Sequence, residues 1–532
     1  MGRTHGRTDG TVGPLERGLE VIELLGRSPA RPADLARAAG LARSTVDRVI
    51  STLEQSGYVR LRDREVALAP RLMELGNAYL AAAGIVPAAA REVALLAESL
   101  DESVSLAVAD RAGVRFVAQS PRRRSMSVSF RVGDLLPAER CAPGAVFAAD
   151  WGPREWERWR GRAEDETRFA LPMNAFPEVE ELLRARTAAY LRDGWAEDDQ
   201  LIEPGLIAIA LPVRDASGSP VSVLSVVSHT SRHDVDSLRA HALPKLAACA
   251  ARIEQAQASP RRPARPAGLD LSREAKHELG ADYLQSLHRG LAVMAALDAP
   301  AGLTLSETAA ATGLPRATAR RSLLTLTALG YAAENDGRFL LLPRVLDLGY
   351  SSLSGLGLPE IARSHLRALS ASVGDSVSLA VLDGTDIRYV ARSPASKIMQ
   401  EAVEIGTRLP AYATSMGRIL LAGLAEPDAA RILEHSVLRP FTAHTRTDPA
   451  DLADLVASAR LDGYALVDQE LEEGLRSLAV PVRDRAGRVI AALNTACHAA
   501  AETPAASRAR LLPPLRAAAA ALETDLSMFL TR

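Results

Sequence analysis

Lysine is nearly missing: only Lys245, Lys276 and Lys397 stand among 63 basic residues. Arginine carries almost all the positive charge, so a single Arg says little about function. An excess of either charge is missing too. With 63 basic and 65 acidic residues the formal net charge is −2, so the chain is no polycation and a nucleic-acid surface must be local. Three cysteines, Cys141, Cys249 and Cys497, are too few and too scattered for a disulfide framework and fit a reducing compartment. No apolar run reaches the roughly 18 residues that a membrane span needs. The first residues, MGRTHGRTDGTVG, hold no apolar stretch of the kind that marks a secretory signal. These absences lead to the expectation of a soluble, cytoplasmic protein.

Catalytic signatures are also lacking. G-x-S-x-G, H-E-x-x-H, G-x-x-x-x-G-K and paired-cysteine metal spacings do not occur. His229 and His498 take equivalent places after a strand without a second ligand nearby, and Cys497 reads as core. No metal, no cofactor and no enzyme activity is expected. What is present is ordinary globular material, 47% hydrophobic and 24% charged over 532 residues. That length suggests about three to five domains.

The strongest signal is a repeat. Gly57-Tyr58 recurs as Gly330-Tyr331, and Ser103-Val-Ser-Leu-Ala-Val108 as Ser376-Val-Ser-Leu-Ala-Val381, both 273 residues on. Asp193-Gly-Trp-Ala196 matches Asp462-Gly-Tyr-Ala465, and Pro212-Val-Arg-Asp215 matches Pro481-Val-Arg-Asp484, 269 residues on. The matches are colinear, and the period is far too long for a solenoid, so a whole multi-domain unit is duplicated. Between the copies lies QAQASPRRPARPAGLD, a Pro/Arg-rich spacer.

Each copy opens with helical periodicity, a Gly-Leu turn, a third helix and a short hairpin: helix-turn-helix, then a β-wing. The third helices span residues 42–55 and 315–329. Their starts offer Arg43, Ser44, Thr45 and Arg48 in copy one, and Arg316, Thr318, Arg320 and Arg321 in copy two. Arg forks onto guanine, and Ser and Thr reach bases or phosphates, so these are the candidate double-stranded DNA contacts. The wings add Arg62 and Arg338. The competing reading is a solvated face on a protein-interaction module. The remainder of each copy alternates strands and helices, ending in a hairpin and an Ala/Leu-rich helix, which suggests an antiparallel sheet with helices packed on it.

These motifs, with R-G-L at Arg17 and Arg289, G-L-x-R-x-T at Gly40–Thr45, GTRLPAYATSMGRILLA at Gly406–Ala422 and DQELEEGLRSLAVPVRD at Asp468–Asp484, resemble the IclR family of bacterial transcription regulators. The resemblance implies an α+β chain: two tandem copies of a winged helix-turn-helix plus an α/β, GAF-like effector-binding domain. The expected domains are a disordered tail 1–12, winged helix 13–72, effector domain 73–254, linker 255–275, winged helix 276–345 and effector domain 346–532. Copy two is similar to the subgroup controlling protocatechuate, 4-hydroxybenzoate and β-ketoadipate pathway genes. That implies a small organic acid effector in catabolism of an aromatic or related acid. Carried over from the family, the pocket residues are Ser415, Met416, Asp468, Ser477, Asn494 and Ala496. Ser477 and Asn494 suit a carboxylate; Asp468 suits a ligand hydroxyl or a cap on the adjacent turn. Copy one departs, with Ala142, Pro143, Asp199, Ala208, Ser225 and Val227 at those places, so the copies should not share a ligand. Family members pair through their winged helices. The tandem chain is therefore expected to form an intramolecular pseudo-dimer or a homo-oligomer, activating or repressing its targets. The alternative is an enzyme or an interaction module that reuses the sensor fold without DNA binding.

Overall fold

The computed structural model describes residues 12–62, 64–83, 86–122, 130–161, 176–258, 283–395 and 403–529. The expected tail through residue 11, the linker from residue 259 onward and residues 123–128 of the basic tract 121–128 lie outside them. The chain divides into two units, Met1–Gly355 and Leu356–Arg532. The first holds both winged helices and the first sensor domain; the second holds the second sensor alone.

In the first unit, helix Gly13–Arg27 buries Leu15, Leu19, Ile22 and Leu25 at helical spacing. Helix Pro32–Ala39 ends at Gly40, whose left-handed φ of 64° closes the turn. The recognition helix Arg43–Gln55 buries Val46, Val49, Ile50 and Leu53 and leaves its polar face outward. Strands β1 (Val59–Arg62) and β2 (Glu65–Leu68) make the wing. Copy one's sensor has six strands: β3 (Ser103–Asp110), β4 (Gly113–Ser120), β5 (Leu135–Pro137), β6 (Ala196–Asp199), β7 (Leu206–Arg214) and β8 (Pro220–His229). They form an antiparallel sheet in the order β5-β4-β3-β8-β7-β6. Helices Val86–Leu100 and Val235–Ala258 pack on it, as does the short helix Ala142–Ala148.

The second winged helix repeats the plan with helices Gln285–Ala296, Leu305–Thr312 and Arg316–Ala328. Its first helix begins at Gln285, six residues before the apolar run from Leu291 that marks it in the sequence. A short β9 (Leu303–Thr304) joins the wing strands β10 (Ala332–Asn335) and β11 (Arg338–Leu341). Asp336 and Gly337 take φ of 50° and 73°, the turn an Asp-Gly pair favours. After β11 the chain forms no single continuous helix. A 3-10 turn Pro343–Asp347 and a short helix Tyr350–Ser354 flank Gly349, at φ 84°, where a Cβ would stand 2.1 Å from Leu68.

The two winged helices pack on each other with two-fold pseudosymmetry. A Cβ on Gly18 would stand 2.3 Å from Leu287, and one on Gly290 would stand 2.4 Å from Leu15. The N–H of Leu284 donates to Thr52 Oγ1, and that of Val12 to Thr325 Oγ1, each at 2.9 Å. Each contact therefore recurs with its partners exchanged, the signature of an isologous interface. The periphery breaks the symmetry. Tyr331 donates to Glu23 across the pair, whereas Tyr58 donates to Glu74 of its own copy. The first copy also touches the segment that follows the second wing: buried Arg115 joins Asp110 to Asp347, and Tyr350 donates to Asn77.

The second unit is the other sensor. Strands β12 (Ser376–Asp383), β13 (Asp386–Ser393), β14 (Arg408–Pro410), β15 (Ala465–Asp468), β16 (Leu475–Arg483) and β17 (Val489–His498) follow the same order, β14-β13-β12-β17-β16-β15. Helix Ser415–Ala422 covers one face, its residues packing with Ala380, Ala479 and Ala492. Helices Leu358–Val373 and Pro504–Ser527 pack with the sheet through other residues.

Candidate nucleic-acid interface and effector site

The recognition helices start alike and then differ. Arg43, Ser44 and Arg48 are exposed and Thr45 is half-buried; Arg316, Arg320 and Arg321 are exposed and Thr318 is half-buried. All stand on the solvent side of a helix whose other face is core. Arg43 Nε donates to Asp47 at 2.9 Å, one turn on. The residue equivalent to Asp47 is Arg320, and among the described residues no acid pairs with Arg316, Arg320 or Arg321. The backbone of Arg62 ends β1, but its side chain lies outside the described residues. Arg338 is held inside its own domain, on the Gly302 carbonyl at 2.8 Å and on Glu307 at 3.2 Å. Glu307 also closes the Thr304 capping box, so Arg338 ties the wing to the start of a helix. The sequence alone does not reveal that engagement.

In the second sensor, register decides which expected effector residues meet. Cross-strand partners share a face. Ser477 pairs with Ala496, and Asn494 pairs with both Ala479 and Ser378, so all of these face helix Ser415–Ala422. Ser415 and Ser477 hydroxyls lie 2.9 Å apart. Met416 is buried beside them on the same helix. Thr414 caps that helix by accepting from Gly417 N–H at 3.0 Å. Asn494 is buried, and its side-chain oxygen has no partner among the described residues. An orphaned buried acceptor is costly unless something else satisfies it.

Asp468 does not join this set. It pairs with Arg476 on the opposite face, at 2.9 and 3.1 Å, and Arg476 continues to Ser507 of the C-terminal helix at 3.2 Å. Asp468 thus stands on the face away from Ser477, where it anchors Arg476. A neighbouring acid takes the buried place instead. Glu470 receives a two-pronged bond from Arg418 at 2.8 and 2.6 Å, beneath the same short helix.

Arg392, which the sequence pattern does not single out, shares the Ser477 face. Register sets it opposite Ser378, on the same face as Asn494, with one guanidinium nitrogen donating to the Val403 carbonyl. Copy one has Gln119 there, a difference visible when the copies are aligned. The remaining candidates have structural partners. His229 Nδ1 lies 2.9 Å from Ser231 Oγ, and His498 Nδ1 accepts from Ala500 N–H at 3.2 Å. Burial pushes the Cys497 thiol up, away from a reactive thiolate. Among the described residues no cluster of His, Cys, Asp and Glu suits a metal, and no helix is long and apolar enough to cross a membrane.

A winged helix feeding a six-stranded sensor is the architecture of ligand-linked DNA-binding regulators. The family described as bacterial transcriptional regulator IclR C-terminal matches residues 77–255 and 350–524. The IclR helix-turn-helix domain matches residues 14–63 and 286–336. The chain belongs to the IclR family of transcriptional regulators, in tandem duplicate, and the family and its relatives are regulators rather than enzymes. The Pca regulon regulatory protein of Pseudomonas putida is 41% identical over 239 residues, covering 44% of this chain and 82% of that protein. The p-hydroxybenzoate hydroxylase transcriptional activator of Acinetobacter baylyi is 35% identical over 241 residues, covering 44% and 89%. A crystal structure described as a transcriptional regulator of Rhodococcus sp. RHA1 is 49% identical, covering 47% of this chain and 100% of that one, with a TM-score of 0.45.

Proposed function

We propose that this chain is an effector-responsive regulator whose paired winged helices bind operator DNA and whose second sensor takes a small aromatic or related organic acid. Arg43, Ser44, Thr45, Arg48, Arg316, Thr318, Arg320 and Arg321 are the DNA contacts, with phosphate binding drawn from the Arg side chains. Arg62 serves its wing, while Arg338 contributes mainly by positioning the other.

One observation carries the effector reading: the unpartnered Asn494 oxygen beside the Ser415–Ser477 hydroxyl pair. A ligand with a carboxylate and a phenolic hydroxyl answers both needs. The two serines, the start of helix Ser415–Ala422 and the charge of Arg392 favour a carboxylate. Asn494 accepts from a hydroxyl, and Met416 and Ala496 supply apolar wall. The names of the relatives, a Pca regulon regulator and a p-hydroxybenzoate hydroxylase activator, support the same chemistry. Protocatechuate and 4-hydroxybenzoate meet both needs; β-ketoadipate, which has no hydroxyl to donate to Asn494, is the contrasting acid to try. Effector binding changes DNA affinity only as far as the acid favours one arrangement over another.

The test is fluorescence anisotropy of the full chain on its own upstream DNA, with and without each acid. Salt-sensitive binding shifted by one acid is the expected result. Asn494→Leu should weaken that acid by about tenfold or more, the consequence of removing a polar partner from a buried site. Binding with no response to any of the three acids overturns the effector assignment; absence of DNA binding overturns the regulator reading.

A further inference from the structure

The paired recognition helices are held alike but do not carry the same side chains. Thr52 and Thr325 fix equivalent points of the two helices against the partner's first helix, through mirrored hydrogen bonds of 2.9 Å. Gly18 and Gly290 make the mirrored close approach. Equivalent positions on the two helices are therefore related by the same pseudo-two-fold axis.

The exposed starts of those helices differ at two places. Ser44 answers to Ala317, and Asp47 to Arg320; all four are exposed. Arg43, Thr45 and Arg48 are shared as Arg316, Thr318 and Arg321. Asp47 is tied to Arg43 at 2.9 Å, which fixes that guanidinium along its own helix. Among the described residues, Arg316 and Arg320 have no such tie. A carboxylate in a groove repels phosphate oxygens and accepts from the cytosine amino group, whereas Arg forks onto guanine. A Ser hydroxyl hydrogen-bonds, whereas an Ala methyl packs on the thymine methyl. Within these two helix starts, copy one carries Arg43, Arg48 and Asp47, and copy two carries Arg316, Arg320 and Arg321. The second half-site thus receives the greater positive charge.

From these differences, and resting on the DNA-binding reading above, we propose that the operator is not a palindrome: copy one and copy two read unlike half-sites, and Ser44/Ala317 and Asp47/Arg320 set the difference. A dimer of identical chains cannot do this, because its symmetry gives both halves the same reader. Two unlike readers fused in one chain and paired isologously always present one of each.

The experiment is selection of duplex DNA from a random pool by the full chain, followed by anisotropy on three duplexes. These are the recovered site and the two perfect inverted repeats built from each of its halves. The expected result is a motif with two different halves, bound about tenfold or more tightly than either inverted repeat, since a mismatched base pair typically costs that much. The surface double variant Ser44→Ala with Asp47→Arg should then recover a site whose first half has moved toward the second. A palindrome recovered by the wild-type chain overturns the proposal and leaves DNA binding intact. Unlike halves that the double variant leaves unchanged overturn the assignment to residues 44 and 47. Recovery of no sequence at all overturns the DNA-binding reading with it.

Discussion

The two sensor domains share a strand order but bury their polar groups in different places. In the second, Ser415, Ser477 and Asn494 gather on the face covered by helix Ser415–Ala422, above the Arg418–Glu470 pair. In the first, those places hold Ala142, Ala208, Ser225, Ala145 and Leu201, and Pro143 removes a donor from the start of the equivalent helix. Its buried polar groups stand at other positions around the equivalent helix. Trp159 donates to Glu139 at 3.0 Å, Arg186 donates to the carbonyls of Glu139, Cys141 and Glu197, and Asp198 accepts from Leu201 N–H at 2.9 Å. Copy two has Tyr412, Ile432, Leu455 and Val467 in place of Glu139, Trp159, Arg186 and Asp198. In the first sensor Glu139, Arg186 and Asp198 have partners of their own, while among the described residues the open groups are the Thr187 and Ser222 hydroxyls; in the second the Asn494 acceptor is open, on the face of the Ser415–Ser477 pair. One scaffold thus carries its met and unmet polar groups at different places in its two copies.

That contrast can be broken most forcefully at Arg418. Arg418→Ala leaves the buried Glu470 without its guanidinium partner, holding only the Arg446 N–H, and should cost the second sensor about 3–5 kcal/mol. Copying the first sensor at both places, Arg418→Ala with Glu470→Leu, should recover much of the loss. Hydrogen exchange of peptides from residues 403–529 reads both effects, and equal losses from the single and double variants would refute the account.

A somewhat smaller effect belongs to Asp198. Burial pushes its carboxyl up to about 6, against the Leu201 N–H and Arg186, which pull it down. The folded first sensor then holds a proton that the unfolded chain releases near pH 4, so stability falls as pH rises from about 4 to about 6. Asp198→Asn keeps an acceptor for Leu201 and should flatten that slope, adding about 3 kcal/mol at pH 7. Unfolding measured across that pH range checks the sign, and an unchanged slope would count against it. The smallest contrast is at the helix caps. Thr414→Ala should cost about 1 kcal/mol, whereas Cys141, which makes no side-chain cap bond, should lose less cap stability as Ala. Local exchange at the two helix starts compares them.

Much of the fold is legible in the sequence. The Gly40 and Gly313 turns, the apolar stripe of each recognition helix and the Asn335-Asp336-Gly337 hairpin are local signals. The tandem repeat is equally plain, and with it the comparison between Ser415 and Ala142. Long-range register is not. Asp468 and Ser477 stand nine residues apart, and only strand pairing shows that they face opposite sides of the sheet. Arg392 joins the Ser477 face for the same reason, through Ser378 on a neighbouring strand. Amphipathic periodicity shows that Leu15 is buried, but not that it rests on Gly290 of the other copy, and Leu287 stands before the apolar run that marks its helix.

The mirrored contacts of Gly18 with Leu287 and Gly290 with Leu15 have a further physical consequence. Partners joined in one chain meet at an effective concentration set by the tether, not by the amount of protein present. The pairing of these two winged helices is therefore insensitive to dilution. Nor can either exchange its mate for that of a related regulator without first displacing a neighbour that never diffuses away.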